Sequence, residues 1–149
     1  MAPKTKIQFF FQTNIRLAEK TKLKNFLSIV FKKEGKQLEA LNYVFCSDKY
    51  LLKINQSFLK HDFYTDIITF ELSEKSKLIE GEIYISTDRV KENAKRLQIN
   101  PKLELLRVIF HGALHLCGYS DKTRIQKDEI RKKENEYLLR YSMFHVKQK

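Results

Sequence analysis

The chain has 149 residues, 42% of them hydrophobic, with only four glycines and two prolines. That suits one domain with its own hydrophobic core and argues against disorder, a linker-rich multidomain chain or a fibrous repeat. The formal net charge of +11 favours a polyanionic partner, two cysteines are too few for a disulfide framework and suit a reducing cytoplasm, and no apolar run is long enough for a signal segment or a membrane span.

Residues 7–11 are predicted as a first strand, rich in aromatics. A helix is predicted over residues 19–36, where Leu23, Phe26, Leu27, Val30 and Phe31 recur at helical spacing with lysines on the other face. Residues 40–46 alternate as a strand. Ser47 or Asp48 then caps a short helix predicted to bury Leu51, Ile54 and Phe58. Residues 67–72 and 82–86 read as two more strands, joined by a polar connection over residues 74–77. Ser86 or Thr87 caps a helix carrying Val90, Ala94 and Leu97. Asn100-Pro101 is a cap followed by proline in the first turn. The helix it opens, over residues 101–117, is apolar on most sides, as a central buried helix must be. A last basic helix is predicted over residues 123–143. The expected fold is α+β: a small mixed four-stranded sheet with about five helices, the central one buried. The charge excess lies at the ends. Residues 1–39 carry nine Lys/Arg against three Asp/Glu, residues 120–149 nine against five, and residues 40–119 eleven against ten. The aromatics are too scattered over the predicted strands for a base-stacking sheet of the RRM type.

The chemistry is concentrated in residues 111–121, HGALHLCGYSD. His111 and His115 are four apart, so both imidazoles project from one helix face. Gly118 offers a helix stop, and the turn beyond it can return Asp121 to that face. Two nitrogens and a carboxylate oxygen make a three-ligand set for one zinc ion or another divalent transition metal, with a fourth position open for water. The nearby Cys117 is a conceivable fourth ligand, but an open site suits hydrolysis better. The frame H-x-x-x-H-x-x-G-x-x-D also matches the zinc-binding half of a metzincin protease. Those enzymes place a glutamate base directly after the first histidine, where this chain has Gly112. The metal geometry is therefore expected without the peptidase chemistry.

Arg107 lies one turn before His111, on the same stripe, and is expected to face the metal cleft and hold a phosphate or offset charge on a phosphoryl oxygen. The bland alternative is an exposed arginine at the helix start. Asp66 is expected to be a general base or to hold a histidine N–H, although a turn-forming aspartate is the commoner role. Thr65, His61 and Lys60, in the same loop, are candidate substrate contacts; a lone loop histidine or lysine is more often plain surface.

These stretches resemble the YbeY family of bacterial metal-dependent endoribonucleases of ribosomal RNA maturation. The family pattern H-G-x-L-H-L-x-G-Y-D-H aligns with residues 111–121. The pattern L-N-x-x-Y-R-x-x-D-x-P-T-D-V-L-S-F aligns with INQSFLKHDFYTDIITF at 54–70, and G-D-I-x-I-S with GEIYIS at 81–86. The family's third metal histidine falls at Asp121, a harder and more negative ligand that shifts metal preference toward manganese or similar ions. Its preceding aspartate falls at Ser120, and its arginine in the second pattern falls at Leu59, a loss that Arg107 could make good. The resemblance implies a cytoplasmic, zinc-dependent, single-strand-specific endoribonuclease acting on ribosomal RNA precursors and ribosomal particles, in small-subunit 3′-end maturation and ribosome quality control. The alternative is a non-catalytic, metal-stabilised assembly factor that binds ribosomal RNA, which Leu59 favours. A hydrolase on another substrate is a third reading, and Gly112 argues against a peptide.

Overall fold

Each predicted strand and helix is present, though the second and fourth strands begin earlier than expected, at Gln37 and Leu78, and the first helix ends at Lys33. In the computed structural model, residues 6–73 and 78–145 are described. In chain order these residues form β1 (Ile7–Phe11), α1 (Lys20–Lys33), β2 (Gln37–Cys46), α2 (Asp48–Phe58), β3 (Ile67–Glu71), β4 (Leu78–Ser86), α3 (Thr87–Leu97), α4 (Pro101–Leu116) and α5 (Arg124–Met143). The polar connection expected over residues 74–77 lies outside the described residues. The sheet order is β1-β2-β4-β3. The first three of these strands run parallel, which demands crossover helices, and β3 returns antiparallel along β4 at the edge.

The alternation along β2 sorts the two faces. Leu41, Tyr43 and Phe45 point into the larger core with α1, α4 and α5, while Cys46 joins Leu51, Ile54 and Ile68 in a smaller cluster under α2. Tyr43 is fully buried and donates its hydroxyl proton to the Ile109 carbonyl at 2.8 Å, fixing β2 to the middle of α4.

Asn100 caps α4 through its side chain on the Lys102 N–H, with Pro101 in the first turn. Val108, Ile109, Phe110, Ala113 and Leu114 are all buried. Rotating α4 would expose several of them at about 1.5–3 kcal/mol for each large side chain, so the register of this helix is locked. Gly112 lets it lie close on the sheet: a Cβ there would meet the Cδ1 atoms of Ile67 and Ile83 at 2.9 Å. The helix ends in a Schellman turn. Tyr119 N–H reaches the Leu114 carbonyl, Gly118 N–H reaches that of His115, and Gly118 takes φ 107°.

Three side chains depart from expectation. Phe58, the last residue of α2, is 71% exposed, with its ring edge-on to that of Phe70. Leu97, at the last turn of α3, and Leu103, on the outward side of the first turn of α4, are also exposed.

Candidate metal centre and its two cavities

The helical spacing of four brings the His111 and His115 rings to 4.7 Å between centroids. The Schellman turn reverses the chain, and Asp121 Oδ2 comes to lie 3.3 Å from His111 Nε2 and 3.4 Å from His115 Nε2. One ligand atom from each residue lies within 4.8 Å of the others. Ligands about 2.1 Å from a tetrahedral ion stand about 3.4 Å apart, so the spacing and the two-nitrogen, one-oxygen donor set fit a divalent metal. Cys117 is not one of the group. It opens to a separate cavity with Glu34 and Tyr119, and burial pushes its thiol up to about 12, against the thiolate a metal needs.

A residue the sequence did not single out completes the centre. Glu134 of α5, only 4% exposed, accepts the Nδ1 proton of His111 at 2.6 Å, which leaves Nε2 as the ligating atom. Glu134 is held by Arg107 Nη1 at 2.9 Å, with Arg131 Nη1 at 3.7 Å. Burial raises the Glu134 carboxyl, but the bonds from His111 and Arg107 outweigh it and keep the group below the usual carboxylate range. Burial likewise works against the His111 imidazolium, yet Glu134, Asp121 and Asp66 turn the balance upward. Only the structure separates Glu134 from the other charged residues of its helix. Ile130, Glu134, Tyr137 and Tyr141 form one buried helical stripe, with a carboxylate among apolar residues.

Arg107 lines the cleft beside His111, as expected from its stripe, but its guanidinium is engaged: Nη1 on Glu134 and Nη2 on Asn135 at 2.8 Å. Two cavities meet at Asp66, His111 and Asp121. The first, about 320 Å³, is charged, with Glu104, Arg107, Lys127 and Arg131 in its walls. The second, about 350 Å³, runs under the loop between α2 and β3, past Leu59, His61, Phe63 and Thr65. Asp66 borders both, and burial raises its carboxyl despite the neighbouring His111 charge. Thr65 donates its hydroxyl proton to the Ile67 carbonyl at 3.3 Å. Lys60 is exposed at a left-handed position that ends α2, outside the walls of either cavity.

Gly112 also answers the protease comparison. A Cβ at this position would already come within 2.9 Å of Ile67 and Ile83, so a glutamate side chain there would strike the sheet.

Comparison with known proteins identifies the family. The family profile described as "Endoribonuclease YbeY" matches residues 8–142. The protein named endoribonuclease YbeY from Cytophaga hutchinsonii is 49% identical over 132 residues, 87% of this chain and 92% of its own length. The one from Amoebophilus asiaticus is 44% identical over 92% of this chain and 94% of its own. The solution structure of TM1509 from Thermotoga maritima superposes with a TM-score of 0.63 at 30% identity, covering 91% of this chain and 88% of that one. By sequence over nearly its whole length, and by fold, the chain belongs to the endoribonuclease YbeY family.

Proposed function

We propose that this protein is a metal-dependent endoribonuclease that hydrolyses single-stranded RNA, acting in the cytoplasm on ribosomal RNA precursors within ribosomal particles, at the 3′ end of the small-subunit RNA and in ribosome quality control. The observation that carries the reading is the convergence of His111, His115 and Asp121 where two open cavities meet. His111, His115 and Asp121 would hold a zinc or similar divalent ion, which would supply Lewis acidity toward a phosphoryl oxygen and lower the pKa of water. In this reading Asp66 takes up or returns the proton of the attacking group; its position bordering both cavities supports the role. Arg107 works through Glu134, keeping His111 in the ligating tautomer. Lys127 and Arg131 are the cations that meet the phosphates on the charged side. Thr65 and His61 meet the strand on the other side, with Lys60 at the loop's outer edge.

The test is cleavage of a single-stranded oligoribonucleotide by purified protein, with and without chelator. Cleavage that stops with chelator and returns with zinc or manganese is expected, together with an RNA affinity that falls steeply with salt. Leu59, standing where the family pattern has arginine, favours the second reading of a non-catalytic assembly factor. That reading requires salt-dependent RNA binding with the RNA left intact under every metal.

A further inference from the structure

The loop between α2 and β3 is built to hold two rings in place. Asn55, 1% exposed, donates its amide proton to the Phe63 carbonyl at 2.8 Å, and its own carbonyl accepts the His61 N–H at 3.0 Å. Gln56 ties Asp62 at 2.6 Å. From the other flank, Arg89 lies over the Tyr64 ring at 5.2 Å while its guanidinium bonds Asp48 at 2.8 Å. Between these anchors the His61 and Phe63 rings stack, 5.2 Å apart and 20° from parallel. Phe63 nevertheless stays 56% exposed, in the wall of the cavity that contains the metal ligands. The core does not use this ring, and the polar contacts around it serve to fix its position.

We propose that His61 and Phe63 form a base-stacking subsite, in which an unpaired nucleobase next to the scissile phosphate continues their two-ring column. The inference rests on the endoribonuclease reading and adds how the strand lies: bases toward the α2–β3 loop, phosphates toward Lys127 and Arg131, with the metal centre where the cavities meet. A base inside a duplex is covered on both faces by its neighbours, so such a platform accepts single strands and does so with little regard to sequence. It lies on a loop, away from the strands that carry the stacking aromatics of an RRM-type sheet.

The experiment compares a single-stranded oligo(A) with a ribose-phosphate chain of the same length lacking bases, using full-length protein with zinc restored. Phe63→Ala is expected to raise KM for oligo(A) roughly tenfold or more, with the effect on KM rather than kcat, and to leave zinc content unchanged. Phe63→Trp is expected to restore KM, Phe63→Leu to restore little of it, and His61→Ala to lose part. KM for the base-free chain is expected to be the same for wild type and Phe63→Ala. The subsite is overturned if Phe63→Ala cleaves oligo(A) with unchanged KM, if the base-free chain suffers equally, or if Phe63→Leu matches wild type. If wild-type protein with metal restored cleaves no RNA, the endoribonuclease reading itself falls and takes the subsite with it; wild-type cleavage with an indifferent Phe63→Ala removes the subsite alone.

Discussion

Glu134 and His111 are 23 residues apart in sequence, yet their side chains share a 2.6 Å hydrogen bond that joins α5 to the metal face of α4. The bond orders a chain of charges running from Arg107 to Glu134 to His111, ending at the ring nitrogen that faces His115 and Asp121. A buried carboxylate is costly unless paired, and here a guanidinium and an imidazole N–H both pair it.

Glu134→Ala is therefore expected to weaken zinc binding 10- to 100-fold, measured by competition with a chelating dye. Glu134→Gln, whose amide oxygen can still accept the His111 proton, should fall between Glu134→Ala and wild type. An affinity equal to wild type in Glu134→Ala would falsify the positioning role.

The ligand set makes a separate prediction. Purified protein should hold about one zinc-like ion per chain, His115→Ala should lose it, and Asp121→His should retain it because imidazole nitrogen is an equivalent donor. Metal analysis of the dialysed variants decides the matter; full occupancy in His115→Ala would move the site elsewhere.

Features governed by near neighbours were legible in the sequence. Asn100-Pro101 starts α4, Gly118 stops it, Ser47 caps α2 as one of the two residues the sequence offered, and the spacing of the two histidines fixed their common face. Features that depend on what the fold places opposite were not legible. The apolar pattern of α2 includes Phe58, but at the last position of that helix the side chain is left largely exposed. Arg107 was legible as a cleft residue, whereas its partners Glu134 and Asn135 come from a helix whose charged composition reads as a solvated face. The His61–Phe63 stack needed the loop's hydrogen bonds to become visible.

Gly112 should tolerate added side chains poorly. Gly112→Ala forces Ile67 and Ile83 to give way in a packed core and should cost about 1–3 kcal/mol, read as a lowered urea midpoint. Gly112→Glu should unfold the protein or lower the midpoint further, and should not confer peptidase activity. A Gly112→Ala midpoint equal to wild type would mean that α4 can lift from the sheet without penalty.

Acid stability should depend on Glu34. Burial raises this carboxyl, but the Tyr137 and Tyr119 hydroxyls and Lys133 outweigh it and hold it below its ordinary value near 4.5. A depressed folded-state value means the stabilisation is fully present above the unfolded pKa and disappears as pH falls through the folded one. Denaturation midpoints followed from pH 7 downward should lose this contribution below about pH 4.5, and Glu34→Gln should show a smaller loss over the same range. Parallel curves for the two proteins would assign acid sensitivity to other carboxylates.

Leu59 and Arg107 occupy different cavities, and this separates two explanations of the missing family arginine. Were Arg107 a substitute for that residue, an arginine at position 59 would compensate for its removal. The hydrogen bonds instead commit Arg107 to Glu134 and Asn135, so Arg107→Ala leaves a buried carboxylate short of its closest cation. The cost should be about 3 kcal/mol in stability, the lower end for a broken buried pair because Arg131 and His111 remain. Zinc affinity should fall with it. Arg107→Lys should recover only part, since lysine cannot bond Glu134 and Asn135 with one planar fork. Leu59→Arg alone adds a cation beside the second cavity and should tighten RNA binding, with a steeper salt dependence. In the double variant Leu59→Arg with Arg107→Ala, RNA affinity should rise while metal affinity and thermal stability stay at the Arg107→Ala level. Recovery of zinc binding in that double variant would show that the two positions serve one role after all.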